Sequence, residues 1–161
     1  MNDEAAGRTL KTDDADERYM RMALDAARQA GRRGEVPIGA ALVRRGEVLT
    51  LRGNERESRN DPTAHAEILA LRDASTLLGG WRVLDATLYV TVEPCPMCAG
   101  AILLARLDRL VYGAADAKGG AVGSVVNVLE LSGFNHRTEV TSGVLAEESR
   151  ALLREFFGER R

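Results

Sequence analysis

Two short strings hold the residue types that could do chemistry. Thr63-Ala64-His65-Ala66-Glu67 supplies an imidazole and a carboxylate, and Pro94-Cys95-Pro96-Met97-Cys98 supplies the only two cysteines of the chain. Cysteines so few and so close together do not build a secreted disulfide framework; their spacing points to metal or redox chemistry. Each string opens an expected helix. Cys95 and Cys98, at i and i+3, share one face of a first turn, where the positive end of the helix dipole favours thiolates and hence metal ligation. If the two helix starts converge, one neutral imidazole and two thiolates fill three tetrahedral positions around Zn²⁺ and leave the fourth for water, as in a catalytic site. His136 is the only other histidine, so a fourth soft ligand is scarce, although an aspartate or glutamate could serve. Glu67 follows His65 at a spacing of about 200° around a regular helix. Groups in a first turn can nevertheless both reach a site beyond the helix end. A carboxyl group placed there can take a proton from metal-activated water and deliver it to a substrate, which is hydrolytic chemistry.

The elements that must position these residues follow from periodicity and punctuation. Tyr19, Met20, Ala23, Leu24, Ala27 and Ala30 repeat at three and four residues, giving an amphipathic helix from Glu17 that ends in Gly31-Arg32-Arg33-Gly34. Val36 to Val43 and Glu47 to Arg52 read as a β-hairpin turning at Arg44-Arg45-Gly46. A polar loop from Asn54 to Pro62 leads to a helix over Ala64 to Leu78, capped by Asp61 or Thr63 and stopped by Gly79-Gly80. A strand over Asp85 to Val92 runs into Pro94, suited to a first helical turn, and Cys95 to Leu107 continues as helix. Asp108 to Gly113 and Val140 to Val144 are short strand candidates, and Ala146 to Phe157 is a closing helix. The Gly-rich run Gly119 to Gly123 lacks the Lys-Ser/Thr of a phosphate-binding P-loop and reads as a mobile substrate loop. The order predicts a three-layer α/β/α domain with one mixed five-stranded sheet.

At 161 residues the chain holds one core and is too short for two ordinary domains. Hydrophobic residues make up 45% and charged residues 29%, ordinary for a globular protein, and no apolar run approaches the ~20 residues of a membrane span. Neither a secretory signal nor a typical transit peptide fits the N-terminus, so the expected compartment is cytoplasmic. The net charge of -2 excludes a protein that coats nucleic acid over its whole surface. It conceals an asymmetry, however: residues 1–17 carry -4 and the remainder +2. Met1 to Asp16, polar and acidic, is expected to be a disordered tail ahead of a domain spanning 17–161.

His-x-Glu followed by Pro-Cys-x-x-Cys is the signature of the zinc nucleobase deaminases. From about Glu17 onward the sequence resembles the bacterial tRNA-specific adenosine deaminases, a branch of the cytidine/deoxycytidylate deaminase superfamily. The resemblance is carried by Glu35-Val36-Pro37-Ile38-Gly39-Ala40, Asp61 to Glu67, Asp85 to Thr91, Cys98-Ala99-Gly100-Ala101, Gly113 to Ser124, Asn135-His136-Arg137 and Phe156-Phe157. It implies a cytidine-deaminase-like fold, with His65, Cys95 and Cys98 holding one zinc ion per chain and Glu67 as proton shuttle. It also implies conversion of adenosine to inosine at the wobble position of a tRNA anticodon. Asn54 then contacts the purine edge, Ala66 and Pro94 offer backbone near the base, and Asp116 meets the nucleotide backbone. Asn135, His136 and Arg137 match a loop close to RNA, and Phe156, Phe157, Arg160 and Arg161 match a segment near the anticodon stem-loop. The same resemblance implies a homodimer with RNA touching both subunits, and no organic cofactor.

Bland readings stand beside some of these. Asn54 could be a turn residue, Asp116 could pair with Lys118 inside its loop, and Phe156 and Phe157 could be packing anchors. Ala115 departs from the family, which frequently carries a basic residue there; this departure and the end of the chain at Arg161 both bear on RNA affinity. Two other functions remain open: deamination of a free base or nucleotide, guanine or cytosine, on the same zinc chemistry, and a zinc-stabilised RNA-binding module without turnover, against which Glu67 speaks.

Overall fold

Alternating small and branched side chains dictate the central sheet. In the computed structural model, which describes residues 2–131 and 133–159, strand β1 (Gly39–Arg44) turns Ala40 and Leu42 toward one hydrophobic layer and Ala41 and Val43 toward another. Strand β3 (Ala86–Val92) and strand β4 (Arg109–Ala114) do the same, with Leu88, Val90 and Leu110 on the first side and Tyr89 and Val111 on the second. Strands covered on both faces read as nearly continuous apolar runs, and these do. With β2 (Glu47–Gly53) and β5 (Glu139–Thr141) the sheet has the order β2-β1-β3-β4-β5. The first two pairings are antiparallel and the last two parallel, so the expected mixed five-stranded sheet forms. The hairpin turns on Arg45 and Gly46, both with positive φ, the geometry that matches the twist of two adjacent strands.

Helices α3 (Ala66–Leu78) and α4 (Pro96–Leu104) cover the first face, and α1 (Asn2–Arg32) and α5 (Ala146–Glu159) the second. One turn of helix, α2 (Arg56–Arg59), interrupts the expected loop from Asn54 to Pro62, and a 3₁₀ turn lies over Val128–Glu130. Helix α1 crosses β1 so closely that a Cβ on Gly39 would stand 1.9 Å from the Ala23 carbonyl oxygen.

The N-terminal boundary differs from the expectation of a tail ending at Asp16. Helix α1 runs back to Asn2, and Asp16 is buried. Its carboxylate accepts two hydrogen bonds from the Arg109 guanidinium, at 2.7 and 2.8 Å, and a third from the Tyr89 hydroxyl at 2.9 Å. Counting charge along the segment treats Asp16 as one more solvated acid, whereas its partners lie on β3 and β4. Met1, Arg160 and Arg161 lie outside the described residues.

Candidate active site

Strand β3 and the loop after β2 deliver two helix starts to the same end of the sheet. His65 precedes the first helical residue of α3 (φ -75, ψ 149) and Cys95 precedes that of α4 (φ -75, ψ 173). Both are therefore extended rather than helical, so the expected starts at Ala64 and Cys95 move by one or two residues. The proline that opens α4 is Pro96, not Pro94. Because His65 lies before the helix, its side chain is not opposed to that of Glu67. Neither His65 nor Cys95 caps its own helix with its side chain. Both side chains are turned into the space between the helix starts.

There His65 Nδ1 lies 3.5 Å from Cys98 Sγ and 3.7 Å from Cys95 Sγ. Zinc bonded tetrahedrally to nitrogen and sulfur at its usual bond lengths sets those atoms about 3.6 Å apart. The three donor atoms lie within 4.8 Å of one another, and among the described residues no fourth histidine, cysteine or carboxylate joins them. The donor set and its spacing thus fit zinc with one position left over.

The electrostatics suit this use. A hydrogen bond from Cys98 and, against burial, another from His65 lower the Cys95 thiol to about 4. The same Cys95 contact pushes the Cys98 thiol up, and burial adds to the rise. The bond with Cys95 raises the His65 imidazole despite burial. Glu67 is buried beside them, and burial pushes its carboxyl above the usual range although His65 and Cys98 pull the other way. A carboxyl so placed can hold a proton at a pH where an exposed one has lost it.

Asn54, buried just past the end of β2, does what neither cap side chain does. Its Oδ1 accepts the Ala66 N–H at 2.9 Å, satisfying a donor at the start of α3. A backbone N–H can only donate, which fixes the amide orientation and leaves Nδ2, a pure donor, to meet a ligand. Ala66 and Pro94 are buried at the two helix approaches, and the Pro94 carbonyl accepts the Ala121 N–H at 2.8 Å. Asp116 follows β4 and turns back on its own loop. Its Oδ1 accepts the N–H groups of Lys118 and Gly119, at 3.0 and 3.1 Å, in place of an ion pair with the Lys118 side chain.

The structure does not bring every candidate together. His136 Nε2 lies 2.6 Å from the Leu107 carbonyl oxygen, which also accepts the Thr138 hydroxyl, so Asn135, His136 and Arg137 stand where β4 begins. The three-donor cluster lies where the parallel β3 ends, about one strand length or 20 Å away. Phe156 and Phe157 form an edge-to-face pair on α5, with ring centroids 5.3 Å apart; Phe156 also lines a groove with Arg28 and Arg32 of α1 and with Pro37.

Two buried carboxylates were not singled out by spacing. Glu35 accepts the N–H groups of Glu57 and Ser58, at 3.0 and 2.9 Å, fixing the turn that follows Asn54. Glu93, between β3 and Cys95, accepts hydrogen bonds from the 116–124 loop. In both, burial raises the carboxyl, but the donated hydrogen bonds outweigh it and hold the group below its ordinary value. The available signal was a lone acid beside an apolar strand, costly to bury unless several donors surround it.

The whole of this frame matches known deaminases. The family model of the MafB19-like deaminases covers residues 14–161. The tRNA-specific adenosine deaminase of Bacillus subtilis (strain 168) is 51% identical over 146 residues, 91% of each chain. The chain belongs to the tRNA-specific adenosine deaminase family. A structure solved in a study of A-to-I editing by tRNA:A34 deaminases at the wobble position of transfer RNA is 50% identical. It superposes with a TM-score of 0.82, covering 84% of this chain and 99% of its own. Guanine deaminase from Nitrosomonas europaea shares the fold at a TM-score of 0.74 but only 27% identity, over 88% of this chain and 84% of its own. In sequence the chain is thus nearer to these tRNA deaminases than to that guanine deaminase.

Proposed function

We propose that the protein converts adenosine to inosine at the wobble position of a tRNA anticodon, with water as co-substrate and ammonia as the second product. The observation that carries this reading is a buried carboxyl, Glu67, set against a three-donor cluster, in a chain half identical to tRNA-specific adenosine deaminases along nine-tenths of its length. His65 Nδ1, Cys95 Sγ and Cys98 Sγ would hold zinc, which when bound would supply an activated solvent nucleophile near neutral pH. Glu67 moves the proton: it receives one from the attacking solvent, gives it to N1 of the adenine as C6 is attacked, and later helps protonate the departing amine. Asn54 Nδ2 donates to an acceptor on the purine edge, with the backbone of Ala66 and Pro94 against the base. The base must be splayed out of the anticodon loop to enter. Asp116, Phe156 and Phe157 meet the nucleotides around it.

The active form is a homodimer located in the cytoplasm. Met97, Ala101 and Leu104 make an apolar stripe along the outside of α4; Leu104 is 70% exposed and Trp81 beside it 55%. Apolar side chains so grouped are what a second copy covers. A dimer also gives Asn135, His136 and Arg137, remote from their own metal cluster, a route to RNA bound at the partner's. Among the described residues no helix is long and apolar enough to cross a membrane.

The test is incubation with a tRNA bearing a wobble adenosine, followed by reverse transcription. Adenosine read as guanosine at that position supports the reading. Ammonia released from free guanine or cytosine, with the tRNA unchanged, replaces it with a free-base deaminase.

A further inference from the structure

Glu93 has no place in the chemistry just described, yet it is 3% exposed and carries a charge at the end of an apolar strand. Its partners explain why it stays there. One carboxylate oxygen accepts the Asp116 N–H at 3.1 Å and the Ser124 hydroxyl; the other accepts the N–H groups of Val122 and Ser124, at 3.0 and 3.1 Å. All four donors belong to the one loop that leads away from β4. The loop is shaped around the carboxylate in return: a Cβ on Gly120 would fall 2.3 Å from the Glu93 carboxyl carbon. Two residues further on is Cys95. The segment that supplies a metal ligand is therefore also the segment on which Asp116 and its loop are hung.

We propose that Glu93 is a positioning residue for substrate recognition: by clamping residues 116–124 to the end of β3, it sets where the loop meets the RNA relative to the metal ligands. This rests on the tRNA reading above and deepens it. The Gly-rich run expected to be a mobile loop carries this clamp beside the bond from the Ala121 N–H to the Pro94 carbonyl. Charge-assisted hydrogen bonds suit such a role, since each is directional and stronger than its neutral counterpart.

Glu93→Gln keeps the size of the side chain but sets an NH₂ against N–H donors. The expected result, measured with an anticodon stem-loop bearing the wobble adenosine, is a rise in KM and in directly measured Kd of about tenfold. The kcat should change less than about threefold, and zinc per chain should be unchanged. Gly120→Ala presses on the same contact from the loop side and should give the same split, and the double variant should be no worse than the more affected single one, since both break one interaction. Amide exchange at Val122 and Ser124 should quicken in each, with exchange in β3 unaltered. A fall in kcat at unchanged Kd, zinc content falling in step with activity, or fully additive variants would overturn the assignment. If the native protein forms inosine and both variants bind RNA as it does, the Glu93 assignment alone fails. If the native protein forms no inosine at all, the tRNA reading fails instead.

Discussion

At the scale of single residues, the site divides its labour between groups that can be separated by substitution. Glu67 lies outside the donor set, so Glu67→Gln should retain about one zinc per chain by atomic absorption while inosine formation falls ~10³-fold, within the range for losing a general acid–base group. Asn54 offers a finer cut, because its two amide ends do different work. In Asn54→Asp the acceptor for the Ala66 N–H remains and the Nδ2 donor is gone. Thermal stability should therefore change little, while kcat/KM for the tRNA falls about 10- to 100-fold, as expected for one lost hydrogen bond to a substrate. Glu35 lends itself to a pH test. Its folded-state carboxyl lies below the unfolded value of 4.5, so its hydrogen bonds to α2 stabilise the protein above that pH and their contribution is lost as the pH falls through the lower, folded value. Urea unfolding should find the native protein more stable than Glu35→Gln near neutrality, with the gap closing below about pH 4.5.

At the scale of elements, what could be read from the sequence and what could not differ by the reach of the interactions. Alternation along β1, β3 and β4 and the apolar spacing of α1 are local properties, and they place the strands, the three layers and the two helix starts carrying His65, Glu67, Cys95 and Cys98. Strand order is not local: β1 lies between β2 and β3, and the parallel pairing of β3 with β4 depends on α4 crossing between them. The cap of α3 is non-local for the same reason. The sequence offers Asp61 and Thr63 near the start of α3, but the donor at Ala66 is satisfied by Asn54, twelve positions upstream and across a loop. Glu35 and Glu93 escaped because their partners lie 22 to 31 positions away. The start of α1 turned on Asp16, whose guanidinium partner is 93 positions distant. That clasp ties α1 to the sheet, and Arg109 also donates to Thr141 of β5. Arg109→Ala leaves the Asp16 carboxylate buried with only the Tyr89 hydroxyl, and should lower the unfolding free energy by about 3 kcal/mol in urea titrations.

At the scale of the whole molecule, the open apolar stripe on α4 and the distance of residues 135–137 from their own three-donor cluster point the same way. Leu104→Arg places a charge at the most exposed position of the stripe. It should yield a monomer in sedimentation equilibrium with zinc retained and tRNA turnover reduced at least tenfold. The same helix carries a further consequence. Of its nine residues, Cys98 belongs to the three-donor cluster, Ala99, Ile102 and Leu103 fill the core under the sheet, Pro96 starts the turn, and Met97, Ala101 and Leu104 look outward to the face a second copy would cover. Hardly any position is left whose replacement goes unnoticed. In a library of random variants selected for function, this short stretch should stand out as the part of the gene least able to drift, and for four unrelated reasons at once.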